Sequence, residues 1–484
     1  MTEEVKKYIH QVALPMKVLF KDMAKYAPSK LFGLLGNAVI VPVYTNLLSP
    51  AQYGIYVISL AVLSFLCILF SDWIGLSGLR FFRKNQLSEK IPNYLSTLIM
   101  ILCSNLFVMY ILTFIFRNKF YDYFNVQPKI FLIILLLIIP VAIRALLFQV
   151  LRAQIKPGAF TVSTIVNQIL TIVLSVLIIK YLQFGAVSVL IGMAVSISII
   201  DVILVFQSDI FKYLKFEKPD SVMIKSIFLY GLPIAAASIS MWAINQSNKF
   251  ITGHYYGMKN AGLVGVAYNM TFPLLMTLFA IITIAAFPRI INLYEEKIDV
   301  RPIISKLTGY YMLISLPLVL LMSVYAKDII MLFANEKYIE AYKLLPYLAF
   351  STFFLSFTDY TTMQYHLANK TYILTALKVV SGLLGLALNF FLIKTMGLVG
   401  AGIAALISNF IYFVLSVIVV VPGLEWRIPY KRFAHILFSF IPAFFVWYFI
   451  HKSFILSVYQ MIILLLVYYS FFFSVRKMFR EIMI

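Results

Sequence analysis

Long apolar stretches separated by short polar connections dominate the amino-acid sequence. A helix needs roughly 20 apolar residues to cross the hydrocarbon of a membrane, whereas an outer-membrane strand needs about 10 in strict alternation. The stretches have helical length and almost no polar break, so they predict an all-α integral membrane protein with about 14 transmembrane helices. Numbered in chain order, the predicted spans are 28–48, 53–74, 92–116, 129–151, 159–180, 185–206, 226–249, 261–287, 307–326, 344–366, 372–393, 398–421, 433–450 and 455–475.

Composition supports the same class and excludes a soluble enzyme. Of the 484 residues, 62% are hydrophobic and 12% are charged, whereas soluble domains have roughly 25% charged residues. The longest polar connections, 207–225 and 288–306, are too short to fold as domains. Nucleotide-binding and hydrolase motifs are absent from the sequence. The five His and the two Cys, Cys67 and Cys103, show no metal-ligand spacing. The sequence therefore predicts no enzymatic activity, no cofactor and no metal.

The distribution of positive charge predicts the orientation in the membrane. Forty Lys and Arg face nineteen Asp and Glu, a net charge of +21. Lys and Arg are enriched in cytoplasmic loops. With the N-terminus inside, cytoplasmic segments hold 27 of the 40, outer loops 11 and spans 2. This predicts a multi-pass protein of a bacterial or archaeal cytoplasmic membrane with both termini cytoplasmic. The excess charge is then a matter of topology and of contact with membrane lipids, and not of nucleic-acid binding.

A faint internal repeat predicts two halves. Residues 150–180 align without a gap to 364–394, at an offset of 214, with a Lys at corresponding positions near both ends of spans 5 and 11. One residue of slippage then aligns Gly185 with Gly400. Both halves start on the cytoplasmic side, so the repeats are parallel and a substrate cavity is expected between them. The predicted parts are an amphipathic segment 1–27, a six-helix lobe 28–206, a basic linker 207–225, a second six-helix lobe 226–421, two extra helices within 432–475, and a tail 476–484.

Several short motifs resemble one family. The segment 48–56, LSPAQYGIY, contains Pro50, Tyr53 and Gly54 and is similar to the LSxxxYGxY signature of Wzx-type polysaccharide flippases. Asp72 and Arg80 resemble the DxG…RF end of their second span, with one extra residue before the glycine. Phe-Pro-Arg at 287–289, with Pro288 and Arg289, resembles the motif that closes their eighth span. Similar order and spacing extend along most of spans 1–12.

This resemblance implies a function and partners. The family belongs to the multidrug/oligosaccharidyl-lipid/polysaccharide exporter superfamily, and its members flip polyprenyl-pyrophosphate oligosaccharides to the outer leaflet. It implies alternating access, with an undecaprenyl-pyrophosphate oligosaccharide as substrate for O-antigen, capsule or a similar polymer. Candidate protein partners are a polysaccharide polymerase and glycosyltransferases.

Four charged residues are candidates for the cavity. Arg144, Lys249 and Lys378 are predicted to bind the pyrophosphate, and Asp359 to balance them. A charge at the bilayer centre costs about 2.5–3.5 kcal/mol on insertion scales, so an ion pair of Asp359 with Lys378 or Arg144 is expected to reduce that cost. The alternative is a fixed structural pair without substrate contact.

Other functions stay open at this point. A cation-coupled multidrug exporter of the same superfamily is expected to carry an acid in its first span, and 28–48 contains none. A peptidoglycan-precursor flippase is expected to carry cations within that span, whereas Lys30 lies only at its edge. A membrane polysaccharide polymerase usually has a long outer loop, and the longest outer connection here, 327–343, is short.

Overall fold

The computed structural model describes residues 32–88, 90–124, 127–213, 221–450 and 457–482. The predicted amphipathic segment 1–27 lies outside this range, as do residues 214–220 of the basic linker. Throughout the described residues the secondary structure is helical, with no β-strand. This follows from the solvent, because a backbone in hydrocarbon must satisfy its own hydrogen bonds.

Fourteen helical segments of the described residues correspond to the predicted spans, and they confirm the predicted all-helical membrane fold. Ten helices are long and apolar enough to cross a membrane. Two of them are pairs of spans joined at a kink, and the helices Phe32–Leu47 and Leu345–Thr361 are shorter. In chain order the segments are Phe32–Leu47, Pro50–Phe82, Ile91–Ile115, Pro128–Ala153, Pro157–Leu182, Ala186–Gln207, 221–256, 258–295, Arg301–Val324, Leu345–Thr361, 371–396, 398–418, Arg432–Ile450 and Ser457–Ile482.

Short helices complete the connections. Arg117–Phe124 and Ala326–Phe333 follow spans 3 and 9, and a 3-10 helix, Glu336–Lys343, precedes span 10. The last helix continues to Ile482, through most of the segment predicted as a tail.

Glycines in the left-handed region make two turns that correspond between the halves. Gly185, before span 6, has φ 59° and ψ −125°, and Gly397, before span 12, has φ 61° and ψ −136°. A residue with a Cβ is strained in this region. The preceding helices, Pro157–Leu182 and 371–396, start 214 residues apart, as the repeat predicts. The backbone therefore pairs Gly185 with Gly397 instead of Gly400, which corrects the predicted alignment at this turn.

The two lobes meet along spans 2, 7 and 8. A large buried cluster includes residues of both lobes, among them Tyr53, Val57 and Val264. A second cluster lies toward the predicted cytoplasmic side, where Trp73 and Tyr94 of the N-terminal lobe pack with Ile227 of span 7. Bulky apolar side chains such as Phe107 and Leu136 are exposed. In a membrane protein such a surface faces lipid, so the exposed apolar faces fit a bundle embedded in a bilayer.

Candidate functional site: a cavity between two helical lobes

A cavity of about 820 Å³ lies where span 2 of the first lobe meets the second lobe, and all of its lining residues except Ser64 and Ile68 belong to the second lobe. Its wall comes from spans 2, 7, 8 and 11 and from His366 in the short helix Met363–Leu367 that follows span 10, and span 7 contributes the largest share. Side chains of span 7 reach the cavity at intervals of three and four residues from Leu229 to Gln246, so that one face of this helix forms the wall. With the predicted orientation, most lining residues belong to the middle and the cytoplasmic half of the membrane.

The wall combines amides, hydroxyl groups and aromatic rings. Asn245 and Gln246 supply amide donors and acceptors, and Tyr230, Trp242 and Tyr268 supply aromatic faces. A wall of this kind can form hydrogen bonds with hydroxyl-rich ligands and present flat surfaces to sugar rings. Its volume lies within the roughly 300–1,000 Å³ usual for ligand pockets.

Trp242 connects the two lobes at the wall of the cavity. Its indole Nε1 donates to the backbone oxygen of Ala61 at 3.0 Å and contacts Ser64 Oγ at 3.2 Å, both in span 2. Its ring packs against Phe65 and Phe250, with centroid distances of 4.8 and 5.4 Å. Trp242 also lines a smaller apolar pocket of about 460 Å³ farther toward the predicted outer side. The tryptophan therefore lies between two compartments.

Lys378 lines the cavity, and Asp359 lies near it. The carboxylate of Asp359, in span 10, is within electrostatic reach of the Lys378 ammonium in span 11. In the part of the chain that the structure describes, no nitrogen–oxygen contact within 4.0 Å joins them. Lys378 is thus a cavity cation with a nearby counter-charge but without a direct ion pair.

Lys249 lies close to the cavity, although it is not part of its wall. The residue is only 5% exposed. Its Nζ donates to Gln246 Oε1 at 2.5 Å and lies 4.5 Å from the centre of the Tyr268 ring. Gln246 and Tyr268 both line the cavity. Lys249 therefore contacts two lining residues without lining the cavity itself.

Arg144 has a different carboxylate as its neighbour. It is half-buried in span 4 and lies within electrostatic reach of Asp201 in span 6. Asp201 is 7% exposed, and neither carboxylate oxygen has a hydrogen-bond partner among the described residues. Each lobe therefore holds its own basic and acidic couple: Arg144 with Asp201, and Lys378 with Asp359.

The family motif at Pro50, Tyr53 and Gly54 lies where the lobes meet at the predicted outer end. A Cβ on Gly54 would overlap the backbone oxygen of Met258, and one on Gly262 would overlap that of Pro50. Helices can approach so closely only because these residues lack side chains. Asn269 Nδ2 donates to Tyr53 Oη at 2.9 Å across the same interface.

A second set of contacts extends this closed outer end. Tyr338, before span 10, donates to the backbone oxygen of Leu48 at 3.0 Å, and its ring packs against Tyr53 at 5.7 Å. Asn335 Nδ2 donates to Asn46 Oδ1 at 3.1 Å. We use the name outer closure for these contacts and for the crossing of spans 2 and 8 at Gly54 and Gly262. Because they join opposite lobes, they must separate if the cavity is to open outward.

The other motif residues lie near the predicted cytoplasmic side. Asp72 ends a π-helical turn, Ile68–Asp72, within span 2, and accepts from Ser71 Oγ at 3.4 Å. A π turn commonly marks one additional residue in a helix, which fits the extra residue in the DxG motif. Arg80 is exposed and Arg289 is half-buried. Pro288 lies within the helix 258–295.

Sequence reasoning missed Trp242, Asn245, Gln246 and Tyr268 as cavity residues. The signal was present in span 7, where Ser238, Trp242, Asn245 and Gln246 recur at helical spacing in an otherwise apolar stretch. Such a polar stripe indicates a face turned away from lipid. Among the described residues, no group of three or more His, Cys, Asp or Glu could hold a metal ion.

Comparison with known proteins identifies the family. The family model described as "Polysaccharide biosynthesis protein" matches residues 43–343, and the chain belongs to this family. A membrane protein of Methanocaldococcus jannaschii, itself uncharacterised, is 25% identical over 238 residues, which are 46% of this chain and 45% of that protein. The chain thus spans about half the length of the curated relative it matches.

Solved structures share the fold. The lipid II flippase MurJ in an inward closed conformation superimposes with a TM-score of 0.73 at 13% identity, over 96% of this chain and 100% of that one. An inward-facing multidrug resistance transporter of the MATE family, in the MOP superfamily, gives 0.64 at 13% identity, over 80% and 93%. The chain is therefore a multi-pass membrane protein with the helical fold of MOP-superfamily transporters.

Proposed function

We propose that this protein moves a polyprenyl-pyrophosphate-linked oligosaccharide from the inner to the outer leaflet by alternating access, without hydrolysing ATP itself. The observation that carries this proposal is the cavity between the lobes, which has a polar and aromatic wall and one lining cation, Lys378. The family supports a role in surface polysaccharide biosynthesis. The MurJ fold supports transport of a lipid-linked sugar, because MurJ is a lipid II flippase.

Substrate binding rests on competition for the Lys378 ammonium. Before substrate arrives, Asp359 neutralises part of its charge from a distance that allows no direct ion pair. A pyrophosphate carries more negative charge and can form charge-assisted hydrogen bonds with the ammonium. The sugars then contact the aromatic rings and amides of the wall, while the polyprenyl chain stays in the membrane.

Transport requires that the outer closure open. The cavity belongs mainly to the cytoplasmic half, and the contacts of Gly54, Tyr53 and Tyr338 join the lobes at the outer half. Opening these contacts while the cytoplasmic half closes exposes the headgroup on the other side, which is alternating access. The substrate can drive this change only if it binds the two conformations with different affinity.

A transport assay with matched variants tests this proposal. The purified protein is reconstituted in liposomes with a fluorescent polyprenyl-pyrophosphate oligosaccharide, and the appearance of the label in the opposite leaflet is followed with a membrane-impermeant quencher. We expect Lys378→Ala to slow flipping at least about tenfold, because a hydrogen bond to a charged group contributes about 1.5–3 kcal/mol. Lys394→Ala is the control, since Lys394 is exposed on the same helix. The proposal is contradicted if Lys378→Ala flips the lipid as fast as the wild type and also supports normal polymer in a strain that depends on this protein. The cavity would then not be needed for transport.

A second candidate function is cation-coupled export of small molecules. The observation in its favour is Asp201, a buried carboxylate whose oxygens have no hydrogen-bond partner among the described residues. Such a group can take up a proton or a cation during a transport cycle. Asp201→Asn distinguishes the candidates: cellular drug resistance that falls with this variant, with surface polymer unchanged, favours the exporter.

A further inference from the structure

A second cavity, of about 870 Å³, is lined entirely by the second lobe and the segment that follows it. Its lining comes from the start of span 9, the end of span 12, the connection after it and the start of span 13. It shares no lining residue with the central cavity. With the predicted orientation, all of these segments lie at the cytoplasmic surface of the membrane.

Three cations from three different segments line this cavity. They are Lys306 in span 9, Arg427 in the connection and Arg432 at the start of span 13. We use the name basic pocket for these three cations and the apolar and aromatic residues that line the cavity with them, which are Pro302, Val417, Trp426, Ile428, Pro429 and Tyr430. Because widely separated segments supply the cations, the pocket exists only in the folded protein.

Contacts on each side hold the basic pocket in shape. Arg432 Nη1 donates to the backbone oxygen of Lys306 at 2.9 Å, and its guanidinium lies 4.9 Å from the centre of the Tyr310 ring. Trp426 Nε1 contacts Thr308 Oγ1 at 3.2 Å, and its ring packs against Phe357. The pocket is thus preorganised, which lowers the entropic cost of binding a ligand.

The local charge balance stays positive. The two nearby carboxylates, Asp299 and Glu425, are both engaged by Arg301, at 2.8 and 3.3 Å. Arg427 lies within electrostatic reach of Asp299 as well. Among the described residues here, Arg301 and the three lining cations supply four positive charges beside these two carboxylates, and an anion is the ligand that positive charge of this kind attracts.

Apolar exposed surface adjoins the cations. Ile428 and Tyr430 line the pocket and are 40% and 72% exposed. Ile418, next to Val417, and Phe433, next to Arg432, are also exposed. At the cytoplasmic end of three spans this apolar surface faces the inner leaflet. The ligand therefore needs an anionic group for the pocket and hydrocarbon chains for the surface beside it.

We propose that the basic pocket binds the phosphate headgroup of an anionic phospholipid of the inner leaflet. Basic pockets between transmembrane helices on the cytoplasmic side bind such headgroups in general. Here the phosphate contacts Lys306, Arg427 and Arg432, and the acyl chains lie along Ile428 and Tyr430. The bound lipid connects span 9 to span 13 and so fixes the C-terminal pair of helices against the second lobe. This proposal is independent of the transported substrate.

Native mass spectrometry of the purified full chain tests the proposal. The detergent-solubilised protein is titrated with phosphatidylglycerol and, separately, with phosphatidylcholine. We expect the first phosphatidylglycerol to bind at least about tenfold more tightly than phosphatidylcholine. The variant Lys306→Gln/Arg427→Gln is expected to lose about fivefold in affinity for each cation removed, the factor for one Lys or Arg next to an anionic surface. Lys90→Gln/Lys225→Gln is the matched control, because both residues are exposed at the same membrane surface and lie outside the pocket.

Three results would overturn the proposal: equal affinity for the two lipids, an unchanged affinity in the pocket variant, or the same loss in the control variant. Competition by inorganic phosphate at the concentration of the lipid would assign the pocket to a free anion instead. Size-exclusion chromatography checks that each variant is folded. If the double variant aggregates, Arg427→Gln alone supplies the measurement, since Arg427 is exposed in a connection.

Discussion

At the scale of single residues, the protein places few charges in the membrane and gives each a neighbour of opposite or polarisable character. Arg144 lies near Asp201, Lys378 near Asp359, and Lys249 against Gln246 and the Tyr268 ring. Among the described residues, neither Arg144 with Asp201 nor Lys378 with Asp359 forms a direct ion pair within 4.0 Å. A neutralised but loosely held ammonium is suited to exchange its counter-charge for a phosphate.

Asp359→Asn tests this exchange. If Asp359 competes with pyrophosphate for Lys378, the Asp359→Asn protein should bind a polyprenyl-pyrophosphate several-fold more tightly than the wild type. It should also release this ligand more slowly. We expect a lower dissociation constant in titration calorimetry, together with slower flipping. Asp122→Asn, at an exposed position on the predicted outer side, should match the wild type. Weaker binding by Asp359→Asn would instead indicate that the carboxylate positions Lys378 for the substrate.

A polar cluster outside the membrane predicts a dependence on pH. The hydrogen bond from Arg301 holds the pKa of Asp299 below its ordinary value, and the backbone N–H of Gly423, at 2.8 Å, lowers the pKa of Glu425. A carboxylate with a lowered pKa in the folded state stabilises the protein above its ordinary pKa. That contribution is lost as the pH falls through the folded pKa.

We therefore expect Glu425→Gln to lower Tm slightly at pH 7 and to differ less from wild type as the pH approaches 3. Fluorescence-detected thermal unfolding across this range gives the comparison. The exposed Glu296 supplies the control variant Glu296→Gln. A difference between Glu425→Gln and wild type that stays constant with pH would show that the carboxylate charge plays no part.

At the scale of helices, crossings and breaks decide the architecture. Span 2 contacts span 8 at the outer closure through Gly54 and Gly262, and its cytoplasmic half packs against span 7, where Trp73 and Phe228 lie 5.0 Å apart. The crossing of spans 2 and 8 requires glycine at positions 54 and 262, because a side chain there would overlap the facing backbone. The contact between spans 2 and 7, in contrast, is made by the large rings of Trp73 and Phe228.

Gly54→Ala should bias the protein toward an open outer end, because its Cβ would overlap backbone and cannot be relieved by a rotamer change. Spin labels are placed at Gln183 in the first lobe and Lys337 in the second, in a background with Cys67 and Cys103 replaced by Ser. Double electron–electron resonance then measures the distance between the lobes at the predicted outer side. We expect a longer distance in the variant. Gly33→Ala is the control, since nothing lies within 4 Å of the added carbon. An unchanged distance distribution would mean that the crossing is not part of the moving interface.

At the scale of the whole molecule, the fourteen helical segments of the described residues form two lobes that meet beside the cavity, and a further pair of helices at the C-terminal end. The charge distribution predicts that both termini are cytoplasmic. We expect a reporter that is active only in the cytoplasm to function when fused after Glu481, and an export-dependent reporter to function after Lys337. The reverse pattern of activities would contradict the orientation on which the inner and outer assignments depend.

The sequence by itself determined the class of fold, because hydrocarbon imposes the same length and apolarity on every helix that crosses it. It also located the candidate cations, since a charge within an apolar stretch is conspicuous, and it found the repeat offset of 214 that the helix starts reproduce. Only the tertiary structure decided which charges are neighbours. Arg144 lies near Asp201 instead of Asp359, since spacing along one helix says nothing about the helix beside it. The tertiary structure also showed that Trp242 is part of the cavity wall and that Gly54 lies at the crossing of spans 2 and 8. A cavity wall and a helix crossing both depend on how helices pack, which the sequence of one helix does not specify.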